Sequence, residues 1–139
     1  MKKIDHIGIA VKDLVASNKL FASLLNTPCY KIEDVSEQQV STSFFKTADQ
    51  KIELVAATSP SSPITKFIAK KGEGIHHIAF EVDDIHSEII RLKGEGFVPL
   101  SEEPSKGADN KWVVFFHPKT TNGVRVSYTH LTLPTKRIV

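Results

Sequence analysis

Four side chains carry the chemistry this sequence can do: His6, Glu53, His77 and Ser127. Residues 4–14 read Ile-Asp-His-Ile-Gly-Ile-Ala-Val-Lys-Asp-Leu, and residues 75–85 read Ile-His-His-Ile-Ala-Phe-Glu-Val-Asp-Asp-Ile. The apolar positions, a polar second residue and the histidine coincide without a gap, 71 residues apart. One histidine on a strand is ordinarily structural or solvated. Two at matched places of a duplicated module are expected to approach each other across a shared cleft. Neutral imidazole is the commonest metal ligand, but two imidazoles need further donors. Glu53, in Lys51-Ile52-Glu53-Leu54-Val55, alternates against two apolar neighbours, so it is either a solvent-facing edge residue or a third ligand. The matching stretch of the second half, Val124-Arg125-Val126-Ser127-Tyr128, offers Ser127 where a carboxylate is expected. A neutral hydroxyl is a weak ligand for a divalent ion, which leaves the fourth corner open. Mixed imidazole and carboxylate donors from His6, Glu53 and His77 suit Zn²⁺, Co²⁺, Ni²⁺ or Mn²⁺ better than Ca²⁺. The other histidines read as structural: His76 as a packing or hydrogen-bonding residue facing away from His77, His86 as an exposed helix position, His117 as a turn residue. Glu81 shares the face of His77 but lies roughly 13 Å along the strand, at the rim.

Strict alternation around each histidine predicts half-buried strands. Ile7, Ile9 and Val11 share one face, with His6, Gly8 and Ala10 on the other; Ile78, Phe80 and Val82 oppose His77, Ala79 and Glu81 in the same way. Each strand leads into a helical pattern. Leu14, Asn18, Phe21 and Leu25 follow Asp13, and Ile85, Ile89 and Leu92 follow the N-cap candidates Asp83 and Asp84. Gly94-Glu95-Gly96 ends the second helix. Three strands follow each helix, about 29–34, 40–46 and 50–57 in the first half and 97–101, 111–116 and 123–129 in the second. Between the halves, Ser59-Pro60-Ser61-Ser62-Pro63 is a turn-rich link into a short helix from Ile64 to Lys71. The predicted fold is α+β: tandem βαβββ modules, about 1–70 and 71–139, forming one domain in which a curled mixed sheet surrounds a metal-binding cleft.

A chain of 139 residues can bury a core without disulfides, and its 40% apolar and 24% charged residues exclude wholesale disorder. The net charge of +2 comes from interleaved charges with no basic stripe, which argues against a nucleic-acid partner. Cys29 is the single cysteine, so an internal disulfide or a cysteine-based zinc cluster is excluded. Met1-Lys2-Lys3-Ile4-Asp5-His6 precedes no long apolar run, and neither a signal peptide nor a membrane span is expected. A cytoplasmic location follows as the default.

A tandem βαβββ chain with one ligand position at the start and end of each half resembles the vicinal oxygen chelate superfamily (glyoxalase, bleomycin resistance protein and dioxygenase). Within it, the chain is most similar to the methylmalonyl-CoA epimerase family. The matching residues are Ile4-Asp5-His6-Ile7-Gly8-Ile9-Ala10-Val11, Lys51-Ile52-Glu53-Leu54, the block from Ser62 through Gly72-Glu73-Gly74-Ile75-His76-His77 to Asp84, and His117-Pro118-Lys119 followed by Asn122-Gly123-Val124. The resemblance runs from about residue 3 to 125. It implies a divalent metal, cobalt above all in vitro, held by His6, Glu53 and His77, and a metal-assisted epimerisation of an acyl-CoA through an enolate. It also implies a fourth ligand glutamate at the place of Ser127. Glu37, in the stretch Ser36-Glu37-Gln38-Gln39-Val40, is the candidate acid/base; some members carry a basic glutamate deeper in the following strand, near Thr42 here.

Two alternatives stay open: a lactoylglutathione lyase or other enzyme of the superfamily, and a non-catalytic ligand-binding member. Lys66, Lys70, Lys71 and Lys119 are candidates to meet acyl-CoA phosphates. Open sheet edges predict a homodimer. After about Arg125 the chain leaves the family pattern, and the segment from about 126 resembles translated sequencing-adapter DNA. Those residues are expected to be foreign to the natural protein, although Val126, Tyr128 and Leu131 alternate as a strand would. His130 offers a substitute nitrogen there.

Overall fold

The computed structural model describes residues 1–130. Eleven helices and strands follow in the order β1 (Lys3–Ala10), α1 (Leu14–Leu25), β2 (Lys31–Val35), β3 (Val40–Thr47), β4 (Gln50–Ala57), α2 (Pro63–Lys71), β5 (Gly74–Glu81), α3 (Ile85–Gly94), β6 (Ser105–Lys106), β7 (Trp112–Phe116) and β8 (Val126–His130). The strands form a mixed eight-stranded sheet in the order β2-β3-β4-β1-β5-β8-β7-β6. Contacts divide the chain into two compact units, one of His6–His77 and one of Met1–Asp5 with the residues from Ile78 onward. The βαβββ pattern occurs twice, as the repeat predicts. No helix among the described residues is long and apolar enough to cross a membrane.

In the unit His6–His77, β1 pairs in parallel with β4, and the antiparallel ladder β4-β3-β2 continues from it. Asp13 caps α1 by accepting the Ala16 N–H at 3.1 Å, and Asn26 ends the helix in the left-handed region at φ 52°. The helix lays Leu14, Phe21 and Leu25 on a core of Val11, Phe45, Leu54 and Ala56. Alternation then forces Gly8, Glu53 and Phe44 onto the opposite face, where the register aligns all three. Ser62, wholly buried, caps α2 ahead of Pro63, which presets the first turn.

In the other unit, β5 pairs in parallel with β8, and β7 and β6 continue antiparallel. Asp84 caps α3, accepting from the Ser87 N–H at 3.1 Å and the Ser87 hydroxyl at 2.8 Å. These donors hold its carboxyl below the ordinary carboxylate value. Ile85, Ile89 and Leu92 are buried in a core with Val82, Val114, Phe116 and Tyr128.

The expected strand at 97–101 is replaced by an isolated bridge between Pro99 and Phe116. Leu100 N–H donates to the Phe115 carbonyl and His117 N–H to the Val98 carbonyl, the two bonds that flank the bridge, and the chain then bends through residues 100–103 instead of continuing the ladder. Regular pairing in this half begins instead with the two-residue β6. Residues 126–130 form β8, with Tyr128 buried, so the expected strand exists over those positions. Leu131 and the rest of the unusual C-terminal segment lie outside the described residues.

Candidate metal centre

The His6–His77 unit brings three of the named residues together. His6 lies on β1, Glu53 on β4 and His77 on β5, and their exposures are 7%, 4% and 8%. The Nε2 atoms of His6 and His77 are 3.0 Å apart, with the rings nearly perpendicular. Glu53 Oε2 stands 3.2 Å from Nδ1 of His6, the ring nitrogen that does not face His77. A carboxylate in that position orients an imidazole and raises its basicity as a ligand.

Gly8 makes room for this arrangement. A Cβ built on Gly8 would overlap the His77 ring at Cε1, Nδ1 and Nε2. The imidazole therefore lies directly on the β1 backbone, at the position whose register partner is Glu53. Small residues beside the histidine, noted in the sequence, here have a definite steric purpose.

The donor set fits a divalent ion. Two imidazoles converge through Nε2, and the nearly inaccessible Glu53 carboxylate adjoins His6 on its Nδ1 side, residue types that suit borderline ions. An uncompensated buried carboxylate would be costly, and a cation offsets that cost. Among the described residues, the group whose donor atoms all lie within 4.8 Å of one another is Asp5, His6 and Glu53, without His77, and Lys111 Nζ holds the Asp5 carboxylate at 2.5 Å.

Ser127 lies in the other unit, 1% exposed, on β8. Its register partner on β5 is Ala79, two residues after His77; Glu53 faces Gly8, two residues after His6. The two halves thus place Glu53 and Ser127 at equivalent ladder positions. His130 is three residues further along β8, opposite Trp112, and alternation turns it to the other face. Its Nδ1 is buried with no hydrogen-bond partner among the described residues.

Glu37 is exposed on the short 3₁₀ turn Ser36–Gln38 between β2 and β3, and the structure records no bond from it to His6, Glu53 or His77. Thr42, by contrast, is 2% exposed on β3 and shares the face of Phe44 and Glu53. Lys66, Lys70 and Lys71 are exposed along α2, and Lys119 is exposed in the other unit. His117 caps a 3₁₀ turn by accepting the Lys119 N–H at 3.2 Å, as a turn residue should. The reading of His86 as exposed is corrected: it is half-buried at the start of α3, its Nε2 3.8 Å from Glu103, because the loop after α3 brings that carboxylate over it.

His76 packs on Phe67 and makes a hydrogen bond, as its sequence reading has it, but it does not face away from His77. His76 bonds to His77 through their Nδ1 atoms at 3.0 Å, although alternation assigns the two side chains to opposite faces. The adjacent pair of histidines was the available signal.

Residues 5–116 match the Glyoxalase/Bleomycin resistance protein/Dioxygenase superfamily, and the chain belongs to that superfamily. Within it, the chain is 38% identical over 126 residues to an ethylmalonyl-CoA/methylmalonyl-CoA epimerase of Cereibacter sphaeroides, covering 89% of this chain and 94% of that protein. It is 34% identical over 126 residues to the uncharacterized protein YqjC of Bacillus subtilis (strain 168), covering 91% and 90% respectively. A Streptomyces coelicolor methylmalonyl-CoA epimerase variant, solved with 2-nitronate-propionyl-CoA, superposes with a TM-score of 0.88 at 31% identity over 94% of this chain and 97% of that one.

Proposed function

We propose that this protein is a methylmalonyl-CoA epimerase, an isomerase that inverts C2 of a branched acyl-CoA by removing and returning one proton. The carrying observation is the buried convergence of His6 and His77 beside Glu53, in a chain whose relatives are named for that reaction. The proton at C2 of methylmalonyl-CoA is flanked by a thioester carbonyl and a carboxylate, so its loss leaves charge delocalised onto oxygen. His6, Glu53 and His77 would hold a divalent ion, Co²⁺ being the preferred choice in vitro, which supplies an electrophile for those two oxygens.

This chain's own residues do the rest. Without an ion, Glu53 beside Nδ1 of His6 orients that ring with Nε2 toward His77; to join an ion held at Nε2, Glu53 would leave Nδ1. Burial of the three side chains excludes water and strengthens their electrostatic effect on developing charge. Glu37 is our candidate for a group that takes the C2 proton. Replacing it by Gln is expected to lower turnover ~100-fold or more, within the usual range for a general base. Turnover equal to that of the unaltered chain would remove Glu37 from the mechanism and direct attention to the face of β3 around Thr42. Exposed lysines on α2 are proposed to meet the acyl-CoA phosphates.

A second reading, binding without turnover, is favoured by one observation: Ser127 stands where the repeat expects a carboxylate. Titrating the Co²⁺-loaded chain with methylmalonyl-CoA and with a glutathione thiohemiacetal separates the superfamily's substrate classes. Binding of the CoA thioester alone is expected; preference for the glutathione adduct would overturn the epimerase reading.

A further inference from the structure

Three imidazoles and a carboxylate form one chain in the His6–His77 unit. Glu53 Oε2 lies 3.2 Å from His6 Nδ1, His6 Nε2 lies 3.0 Å from His77 Nε2, and His77 Nδ1 lies 3.0 Å from His76 Nδ1. The His76 ring stands edge-on to Phe67 of α2, with centroids 4.7 Å apart. A neutral imidazole has one N–H and one lone pair, so each link restricts the next. The ionised Glu53 only accepts. A neutral His6 bonded to it would carry its proton on Nδ1 and present a lone pair at Nε2.

A neutral His77 then has two options, whereas an imidazolium would donate from both nitrogens. With its proton on Nδ1 it donates to His76 and turns a second lone pair toward His6, an arrangement that only a cation against both nitrogens relieves. With its proton on Nε2 it donates to His6, and its Nδ1 must accept from His76. In both states Nδ1 of His76, 3.0 Å away, is placed to complement Nδ1 of His77, because imidazole can serve either as donor or as acceptor.

We propose that His76 is a positioning residue: held by Phe67, it keeps Nδ1 of His77 bonded so that Nε2 is the atom aimed at His6 and available to a metal ion. The inference deepens the metal-site reading above and rests on it for the identity of the ligand atom. α2 thereby reaches the metal centre through one ring contact and one hydrogen bond. Nothing in this role needs His76 to touch an ion or a substrate.

Long-range ¹H–¹⁵N spectra of the imidazoles, with and without Zn²⁺, test the inference on the whole chain. In the metal-free protein, His77 is expected to show one dominant tautomer; in His76→Phe, which keeps an aromatic ring against Phe67, it is expected to show a mixture. Zn²⁺ affinity is expected to fall ~10–100-fold in His76→Phe, as for other partners of ligating histidines, and to recover in His76→Asn, whose amide can donate or accept. An unchanged His77 spectrum in His76→Phe overturns the inference. So does a fall in affinity that His76→Asn fails to relieve. The metal-free spectra decide the point even if the unaltered protein takes up no Zn²⁺, a result that would instead overturn the metal-site reading. Should His76→Phe not fold, Phe67→Leu serves: loosening the His76 ring is expected to broaden the His77 tautomer distribution, and an unaltered spectrum counts against the inference.

Discussion

At the scale of single residues, the site depends on a missing methyl group as much as on its donors. Gly8→Ala would drive a Cβ into the His77 ring, and neither the β1 backbone nor the buried ring has an easy way to yield. Overpacking of this kind costs about 1–3 kcal/mol. We expect a lowered thermal midpoint by circular dichroism together with loss of Co²⁺ binding. Normal binding by a fully stable Gly8→Ala protein would show that His77 does not lie on the strand. Ser127 gives the complementary experiment. Its ladder position mirrors that of Glu53, so Ser127→Glu is expected to raise Co²⁺ affinity measured by chelator competition, while Ser127→Ala should leave it nearly unaltered.

The residue scale also shows how far spacing carries. His6, Glu53 and His77 were legible because a repeated motif fixes equivalent positions, and alternation fixes the face. Glu37 was chosen from its place in a loop, and no alternation pattern constrains a loop side chain. His76 was legible as a packing or hydrogen-bonding residue but its partner was not: alternation describes where a Cβ points, whereas a histidine ring has the reach to turn its Nδ1 back toward a neighbour on the same strand.

Among elements, the helices followed their caps. Asp13, Ser62 and Asp84 each accept a backbone N–H at the start of the helix they precede. Asp84→Ala is expected to cost about 0.5–1 kcal/mol, the lower part of the capping range, because this carboxylate faces solvent. The direction with pH follows from its depressed titration, caused first by the Ser87 N–H and then by the Ser87 hydroxyl. A lowered carboxyl stabilises the fold above the ordinary carboxylate range, and that contribution is lost as pH falls through the lowered value. The stability difference between the unaltered protein and Asp84→Ala should therefore narrow on acidification, as read by denaturant melts at several pH values. A constant difference would mean that the charge of the cap contributes nothing.

Strands were less legible than helices where their pattern was interrupted. Phe97, Val98 and Leu100 read as apolar strand residues, yet pairing there is confined to the Pro99–Phe116 bridge because the chain bends at residues 100–103. The buried strands β3 and β4 emerged near their expected limits because both of their neighbours pair with them along most of their length, and β7 because β8 pairs with it from Trp112 to Phe116.

At the scale of the whole molecule, one module is used twice with a different outcome in each half. β1 with β4 and β5 with β8 are both parallel pairs that join the first and last strands of a βαβββ unit. One pair carries a carboxylate and the other a serine at the equivalent ladder position, so the duplicated architecture is intact while the side chains at that position differ. The strand order ends in β2 and β6, and such edges are commonly covered by a second copy. Sedimentation equilibrium is expected to give twice the chain mass; a monomer at micromolar concentration would contradict the dimer expected from the sequence.

The central claim is metal-assisted proton removal at C2 of an acyl-CoA. Its most direct test is incorporation of deuterium at C2 of methylmalonyl-CoA in D₂O, followed by NMR after chelator quench, for the Co²⁺-loaded chain and for Ser127→Glu. Exchange by the unaltered chain, faster in Ser127→Glu, is the expected result. Two proteins that both bind Co²⁺ and methylmalonyl-CoA yet leave the C2 proton in place would contradict it.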